Sequence, residues 1–297
     1  MENIEFLPKG KRLRVGLVGF GKTGRAVASV LLQDKTLDLV WVLRRSQKME
    51  HRSVPEFLGI DSDEEGEIHW IGDIDCESLL ASSPVDAIID FSSEDGMDYY
   101  GEAAAEHGLT IVSAISQLPP ARIAKMHEYA KTSRVLWSPN ITLGINFMIV
   151  AAKTLQKIAP HADISILEEH FKAKPEISGT AKKISEALNV DPAEVKVIRA
   201  GGIIGVHEIL FGFPFQTVRL KHESIAREAF GNGAKFALLE LQKREIGFYN
   251  MEELVGSYFV NANVQYTNGT TTVAPRIKIR DRVKALKISI NNKKRKK

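Results

Sequence analysis

The feature that most constrains the fold is a regular alternation of strand-like and helix-like segments along the first half of the chain. Residues 13–18 form a short apolar run typical of a buried strand, and residues 22–34 place apolar side chains at helical spacing. Residues 38–43 form a second apolar run, which completes a βαβ unit whose parallel strands need the helix as a crossover. Because the alternation continues to Trp137, the sequence predicts a doubly wound parallel sheet.

The pattern changes after Pro139. A helix is expected near residues 145–158, and the strand-like segments that follow it have only short links, which favours a mixed or antiparallel sheet. These strands are predicted at residues 163–169, 195–198, 206–211 and 215–221. A long amphipathic helix over residues 224–242 is expected to return the chain to the first domain.

Composition excludes several classes of protein. The chain has 297 residues, 44% hydrophobic and 26% charged, which is typical of a globular protein with about two domains. The single cysteine, Cys76, excludes an internal disulfide, a multi-thiolate zinc site and an iron–sulfur cluster, and we expect no metal. No run of 18 apolar residues exists, and the first eleven residues contain charges where a signal peptide would need its apolar region, so we expect no membrane span and a cytoplasmic location.

The charge is unevenly distributed. Residues 276–297 contain eleven Lys and Arg against one acid, so a net charge of +3 leaves the rest of the chain at −7. This balance is typical of a mildly acidic enzyme with a basic tail, and we expect no specific nucleic-acid partner. Residues 264–273 alternate around an Asn-Gly pair and predict a hairpin, within an extension over 257–297 that we expect to be solvated and partly disordered.

A glycine-rich turn lies between the first strand and the first helix. Its G-x-G-x-x-G pattern permits a tight turn and close backbone approach to a pyrophosphate, and the helix N-terminus offers unpaired N–H groups to the anion. A purely structural turn is the alternative. The residues predicted to bind a dinucleotide here are Gly19, Phe20, Gly21, Lys22, Thr23 and Gly24.

Two arginines end the second strand, where a site for NAD usually has an acid. Arg44 and Arg45 can pair with a phosphate through their guanidinium groups, which favours the 2′-phosphate of NADPH, with NADH possible. Two solvated loop arginines are the alternative.

A second motif lies beyond the predicted boundary. Residues 168–174 read Glu-Glu-His-Phe-Lys-Ala-Lys after a predicted strand, and residues 178–180 read Ser-Gly-Thr at the start of a predicted helix. Such a helix start can hold a carboxylate, while the strand end brings His170 and Lys174 toward the same cleft. An ordinary capped helix beside a charged loop is the alternative.

Over about residues 13–256, the order and spacing of these motifs resemble the dihydrodipicolinate reductase family. Further matching segments are residues 138–146, 199–207, 211–212, 222 and 227–234. The resemblance implies an α/β protein with a Rossmann-type parallel sheet and a second mixed α+β domain. It implies reduction of 4-hydroxy-tetrahydrodipicolinate, a small dicarboxylate, by NADPH or NADH in diaminopimelate and lysine biosynthesis, by a homotetramer.

The change of pattern near residue 140, the resemblance over residues 13–256 and the basic residues beyond it together predict a domain plan. Residues 1–140 are expected to bind the dinucleotide, with residues 235–256 returning to that domain. Residues 141–234 are expected to bind substrate and to form the oligomer, and residues 257–297 are the basic extension.

Site residues follow from the resemblance position by position. It implies that His170 is an acid/base and that Lys174 donates a proton to the reduced ring. Substrate-binding positions are Phe171, Ser178, Gly179 and Thr180, and further cofactor-binding positions are Ala114, Ser116, Ser138, Asn140 and Ile141.

Three departures from the family keep other functions open. Phe171 replaces a second histidine, residues 114–117 read Ala-Ile-Ser-Gln in place of Gly-Thr-Thr-Gly, and the interval from Lys174 to Ser178 is one residue shorter. One alternative is a reductase or amine dehydrogenase for another small amino acid derivative. The other is a catalytically silent NADPH-binding protein.

Overall fold

The structure, a computed structural model, describes residues 12–46, 52–261, 264–267 and 270–273. The first half alternates as the sequence predicts. Its elements are β1 (Leu13–Val18), α1 (Lys22–Leu32), β2 (Leu37–Arg44), α2 (Val54–Leu58), β3 (Glu67–Trp70), α3 (Cys76–Ser82), β4 (Ala87–Asp90), α4 (Met97–Glu106), β5 (Thr110–Ser113), α5 (Pro120–Tyr129) and β6 (Arg134–Trp137).

The second half has fewer crossovers. Its elements are α6 (Leu143–Ile158), β7 (Asp163–His170), α7 (Gly179–Leu188), a 3₁₀ turn at Pro192–Glu194, β8 (Lys196–Arg199), β9 (Val206–Phe213), β10 (Gln216–Glu223), α8 (Glu228–Leu241), β11 (Gly247–Tyr249), α9 (Met251–Asn261), β12 (Val264–Thr267) and β13 (Thr270–Val273).

Seven parallel strands form the larger sheet in the order β11-β6-β5-β4-β1-β2-β3. The predicted doubly wound parallel sheet is confirmed. Its central strands are buried on both sides, which explains their continuous apolar runs. The chain order reverses between β1 and β4, and such a switch point creates a crevice at the carboxyl ends of the strands.

Helices cover both faces of this sheet. One core contains α1 and α8, and the other contains α3, α4 and α5. Gly16 in β1 is necessary because a side chain there would meet the buried ring of Trp41, 2.2 Å from its nearest atom. Residues of α8 and α9, including Leu238 and Leu254, lie in the same core as α1.

The smaller sheet has the order β10-β9-β7-β8 and is mixed, as predicted, because only β7 and β8 run parallel. Helices α6 and α7 pack on one of its faces around Ile166, Ile209 and Phe211. The β7–β8 pairing places Arg199 beside His170, and the β7–β9 pairing places His207 beside Glu168.

Several element predictions were wrong. The sequence predicts no strand at β3, a polar edge strand that begins at Glu67. The helix expected from residue 224 begins at Glu228. The sequence also gave no signal for α2, α3, β11 and α9, which are short or have mixed polarity.

The described part of the chain up to Gly256 forms one compact unit, and the part from Ser257 onward forms another. In the second unit β12 and β13 pair antiparallel, which confirms the predicted hairpin. The basic residues at 276–280 and 293–297 lie outside the described residues. In the described ranges, no helix combines the length and apolarity that crossing a bilayer would require. The domain limits at 140 and 234 stay predictions.

Candidate functional site

The glycine turn is built so that backbone, not side chains, faces the crevice. Gly19 has φ +97°, and a Cβ there would lie 2.6 Å from the backbone of Phe91. A Cβ on Gly24 would lie 1.9 Å from the Gly19 carbonyl oxygen, whereas one on Gly21 would meet no atom within 4 Å. Gly21 precedes α1 without a side-chain cap, so the first N–H groups of the helix, at Lys22 and Thr23, remain available to an anion.

Arginines approach this turn from α1 and β2. Arg44 ends β2 half-buried, and burial followed by the charge of Arg25 lowers its pKa. The Arg25 guanidinium stacks on Phe57 of α2, with its carbon 4.5 Å from the ring centre. Arg45 is exposed and donates a hydrogen bond to the hydroxyl of Ser93. Sequence reasoning missed Arg25, although its place directly after the glycine turn is a usable signal.

The other predicted cofactor residues follow β5 and β6 at the same edge of the sheet. The Ala114 N–H donates to the carbonyl of Asp90 over 2.9 Å, and the Ser138 N–H donates to that of Ser113 over 3.0 Å. Ser116 lies exposed in the loop after β5. The side chains of two other predicted cofactor residues, Phe20 and Ile141, are buried in the core, so only their backbone can face a ligand.

Asp90 ends β4 next to the glycine turn and was not predicted as a site residue. Its carboxylate is fully buried and accepts hydrogen bonds from the N–H and hydroxyl of Ser92 and from the hydroxyl of Tyr100. Burial raises its pKa more than these donors lower it. Asp90 thereby holds the loop whose Phe91 backbone contacts Gly19.

A buried carboxylate organises the second motif. Glu168 on β7 accepts the N–H of Ser178 over 3.0 Å and a 2.7 Å hydrogen bond from Arg199. Burial opposes its charged form, but these two partners prevail and lower its pKa. Arg199 also donates to the carbonyls of Lys174 and Glu176, so one side chain holds the middle of the loop between strand and helix.

Two histidines lie beside this carboxylate. His170 Nδ1 is 3.5 Å from Glu168, and the rings of His170 and His207 are 5.4 Å apart between centroids. Burial lowers the pKa of His207 to about 4, and His207 Nε2 is 3.0 Å from the hydroxyl of Ser178. Burial also lowers the pKa of His170, and the nearby charge of Lys174 lowers it further.

The structure brings most of the predicted substrate residues to one place. Ser178 caps α7 by accepting the N–H of Ala181, and Gly179 and Thr180 form the first turn. Lys174 is half-buried in the middle of the strand-to-helix loop. Phe171 directs an exposed ring from the same loop, 44% accessible to solvent.

A hydrogen bond joins the two halves of the site. Asn140, which follows β6, donates from Nδ2 to the hydroxyl oxygen of Thr180 over 2.9 Å. A residue predicted to bind cofactor and a residue predicted to bind substrate therefore touch each other. Asn140 and Thr180 are 40 positions apart in the chain, and this bond brings the loop after β6 to the start of α7.

Glu168, His170 and His207 also carry the kinds of side chain that coordinate metal ions. Ligand atoms of Glu168, His170 and His207 lie within 4.8 Å of one another, and two histidines with a carboxylate are a known zinc set. The carboxylate, however, is already bonded to Ser178 and to the Arg199 guanidinium. A cation among these atoms would meet that positive charge at close range, so the donors fit a hydrogen-bonded network better than a metal site.

Family models match nearly all of this unit. The model described as dihydrodipicolinate reductase, N-terminus, matches residues 13–141, and the one described as its C-terminus matches residues 141–255. A 4-hydroxy-tetrahydrodipicolinate reductase of Caldanaerobacter subterraneus subsp. tengcongensis is 30% identical over 192 residues, which are 57% of this chain and 76% of that relative. The enzyme of that name from Syntrophus aciditrophicus is 27% identical over 80% of this chain and 96% of its own length.

Solved structures agree on the fold. A dipicolinate-bound dihydrodipicolinate reductase from Paenisporosarcina sp. TG-14 superposes with a TM-score of 0.67 at 20% identity, over 80% of this chain and 97% of that one. An amine dehydrogenase from Mycobacterium smegmatis gives 0.57 at 11% identity, over 82% and 96%. At these identities the likeness concerns the fold alone. By its family models and its relatives, the chain belongs to the dihydrodipicolinate reductase family.

Proposed function

We propose that this protein reduces 4-hydroxy-tetrahydrodipicolinate in diaminopimelate and lysine biosynthesis and that NADPH is its preferred donor. The observation that carries the proposal is the junction of the two halves at the Asn140–Thr180 hydrogen bond. It places the loop after β6 against the Ser-Gly-Thr helix start, where a reductase must bring donor and acceptor together.

The residues of the crevice fit a nicotinamide dinucleotide. The open space at Gly21 and the uncapped start of α1 suit a pyrophosphate, and Arg44 and Arg45 suit a 2′-phosphate. Ala114, Ser116, Ser138 and Asn140 line the same edge of the sheet. When bound, NADPH supplies the hydride; the residues of the chain orient the substrate and move protons.

Substrate binding is assigned to the start of α7. The N–H groups of Gly179 and Thr180 and the hydroxyls of Ser178 and Thr180 donate to one carboxylate of the substrate, while the Ser178 N–H stays bonded to Glu168. Arg199 and Glu168 neutralise each other, which leaves the charge of Lys174 for the ligand.

Proton transfer is assigned to Lys174 and His170. Loss of a ring proton and the 4-hydroxyl group as water gives a conjugated C=N–C=C system, and hydride addition to it leaves a carbanion to which the Lys174 ammonium group is assigned to deliver a proton. Because the pKa of His170 is lowered, its imidazole is uncharged at neutral pH and is assigned to accept the ring proton and return it to the departing hydroxyl group.

A homotetramer in the cytoplasm completes the proposal. Since α6 and α7 cover one face of the smaller sheet, Leu167 and Leu210 alternate onto the opposite face, which a second copy would bury. Light scattering of the purified chain should give the mass of four copies, and a monomer mass would refute this assembly.

Two alternatives rest on specific residues. The apolar ring of Phe171, where the family has a histidine, favours a reductase or amine dehydrogenase for another small amino acid derivative. The Ala-Ile-Ser-Gln segment starting at Ala114 favours an NADPH-binding protein without turnover.

One assay separates these functions. NADPH oxidation is followed at 340 nm with freshly generated 4-hydroxy-tetrahydrodipicolinate, next to a fluorescence titration of NADPH binding. The proposed function requires turnover. Binding with turnover only on another substrate supports the first alternative, and binding without turnover on any of them supports the second.

A further inference from the structure

The side-chain amide of Asn140 has only one possible orientation. Its Oδ1 accepts the backbone N–H of Thr142 over 3.1 Å and the hydroxyl of Thr142 over 2.7 Å. A backbone N–H can only donate, so the atom facing it must be oxygen. The Nδ2 group therefore faces Thr180 and donates to its hydroxyl oxygen over 2.9 Å.

The backbone of Asn140 is held as firmly as its side chain. Its carbonyl accepts hydrogen bonds from Nδ2 of Asn146, over 2.8 Å, and from the hydroxyl of Ser138, over 2.6 Å. Asn146 is fully buried in the first turn of α6 and also donates to the Thr142 carbonyl. The amide that reaches Thr180 is thus fixed by the core and does not depend on a ligand.

This arrangement decides what the Thr180 hydroxyl can do. Because its oxygen accepts from Asn140, its own hydrogen must point elsewhere and donate to another acceptor. Thr180 lies in the first turn of α7, where the proposed function places a substrate carboxylate. A hydroxyl set as a donor recognises an anion, whereas one free to rotate would lose part of that preference.

We propose that Asn140 is a positioning residue for the substrate: it fixes the Thr180 hydroxyl as a donor to a planar dicarboxylate. Because Asn140 also belongs to the loop predicted to contact the cofactor, the same bond couples the two binding sites. The inference rests on the proposed function. It differs from the sequence prediction, which gives Asn140 to the cofactor alone.

The test is a double-mutant cycle on the NADPH-loaded protein. Asn140→Asp keeps an acceptor for Thr142 but replaces the donor opposite Thr180 with an acceptor, which turns the hydroxyl hydrogen away from the substrate. We expect the Kd of pyridine-2,6-dicarboxylate, measured by calorimetry, to rise about tenfold or more, in keeping with the loss of a charged hydrogen bond. The Kd of NADPH should change less than about threefold, and KM should rise more than kcat falls.

The second variant separates hydroxyl orientation from charge repulsion. Thr180→Val removes the hydroxyl, so Asn140→Asp in that background should cost much less than in the wild type. Additive losses would mean that repulsion alone weakens binding and would overturn the inference, as would a loss confined to NADPH affinity. Thr154→Val, which removes an exposed hydroxyl on α6, is the matched control and should change neither Kd.

Failure of the Asn140 inference and failure of the proposed function give different results in these experiments. A wild-type protein that binds the dicarboxylate and turns over, but shows an additive cycle, overturns only the role of Asn140. A wild-type protein that neither binds the dicarboxylate nor reduces the substrate overturns both.

Discussion

Two fully buried carboxylates, one in each sheet, have pKa values shifted in opposite directions. Asp90 ends β4 in the parallel sheet, and its partners, Ser92 and Tyr100, are neutral. These hydrogen bonds do not offset the loss of hydration, so the pKa of Asp90 is raised.

Glu168 in the mixed sheet is equally buried but has a cationic partner. The Arg199 guanidinium and the Ser178 N–H outweigh burial, and the pKa of Glu168 is lowered. The comparison shows how the halves differ. The buried carboxylate on the cofactor side is held by neutral groups, whereas the one on the substrate side belongs to a fixed charge network.

The largest expected effect is on turnover, because the groups assigned to proton transfer lie on the substrate side. Lys174→Ala and His170→Ala should each lower kcat by about 10²–10⁴-fold, the usual contribution of a positioned proton donor or acceptor. NADPH affinity, measured by fluorescence titration, should stay unchanged because neither side chain belongs to the glycine turn. Lys157→Ala, an exposed lysine on α6, is the charge-matched control. An unchanged kcat in Lys174→Ala would place the proton donor elsewhere.

Removing the partner of each carboxylate should have unequal effects on stability. Arg199→Met leaves Glu168 buried and unpaired, which should lower the free energy of unfolding by about 3–5 kcal/mol. Tyr100→Phe removes one neutral donor from Asp90, and about 1–3 kcal/mol is expected. Urea unfolding of both variants measures the difference. Equal losses would contradict the conclusion that only Glu168, of these two carboxylates, depends on a cationic partner.

Acid should weaken the substrate side first. His207 is buried and its folded pKa is about 4, so protonation favours the unfolded state as pH falls from about 6.5 toward that value. Protonation of His207 should lower the free energy of unfolding by at most about 3 kcal/mol. The folded pKa of Glu168 is lowered, so its stabilisation is present above the unfolded pKa and is lost as pH falls through the folded value. Asp90 acts in the opposite sense, since protonation relieves its burial.

Thermal unfolding between pH 7 and pH 4 measures this dependence. A loss of stability that is smaller in His207→Phe than in the wild type is the expected result. If both proteins lose the same stability over this range, His207 is not the group that titrates.

The parallel sheet was largely predictable because its information is local. The strand predicted at residues 13–18 matches β1 residue for residue, and the alternation predicted up to Trp137 ends there with β6. Buried parallel strands are apolar throughout, which separates them clearly from the helices between them. The edge strand β3 was missed because Glu67 and His69 break that pattern.

The substrate site was predictable only where residues share a motif. His170, Lys174 and Ser178 stand within nine positions of one another, and the structure places them on one strand, loop and helix start. Glu168 and Arg199, by contrast, are 31 positions apart and meet because β7 and β8 pair in one register. Neither spacing nor composition specifies that register, so the charge network was missed.

The cofactor side should be tested through its arginines, with a smaller effect than the changes above. Arg44→Ala with Arg45→Ala should weaken NADPH binding by about 1.5–3 kcal/mol for each charged hydrogen bond lost, and NADH binding much less. Arg25→Ala alone should show the same preference, because Arg25 lies near Arg44. Fluorescence titrations with NADPH and with NADH measure the two losses of affinity. Equal losses for NADPH and NADH would remove the arginines from the 2′-phosphate.

The smallest effect on catalysis is expected from the basic extension, which belongs to neither side of the comparison. Truncation after Gly256 keeps the buried Met251 and Leu254 of α9 and should preserve NADPH turnover. It removes eleven Lys and Arg, so retention on a polyanion column at low salt should fall, and added salt should abolish the difference from the full chain. A second truncation after Asn261 keeps all of α9 and controls for damage to that helix. Loss of turnover or of the assembly state in both would make the extension part of the folded enzyme.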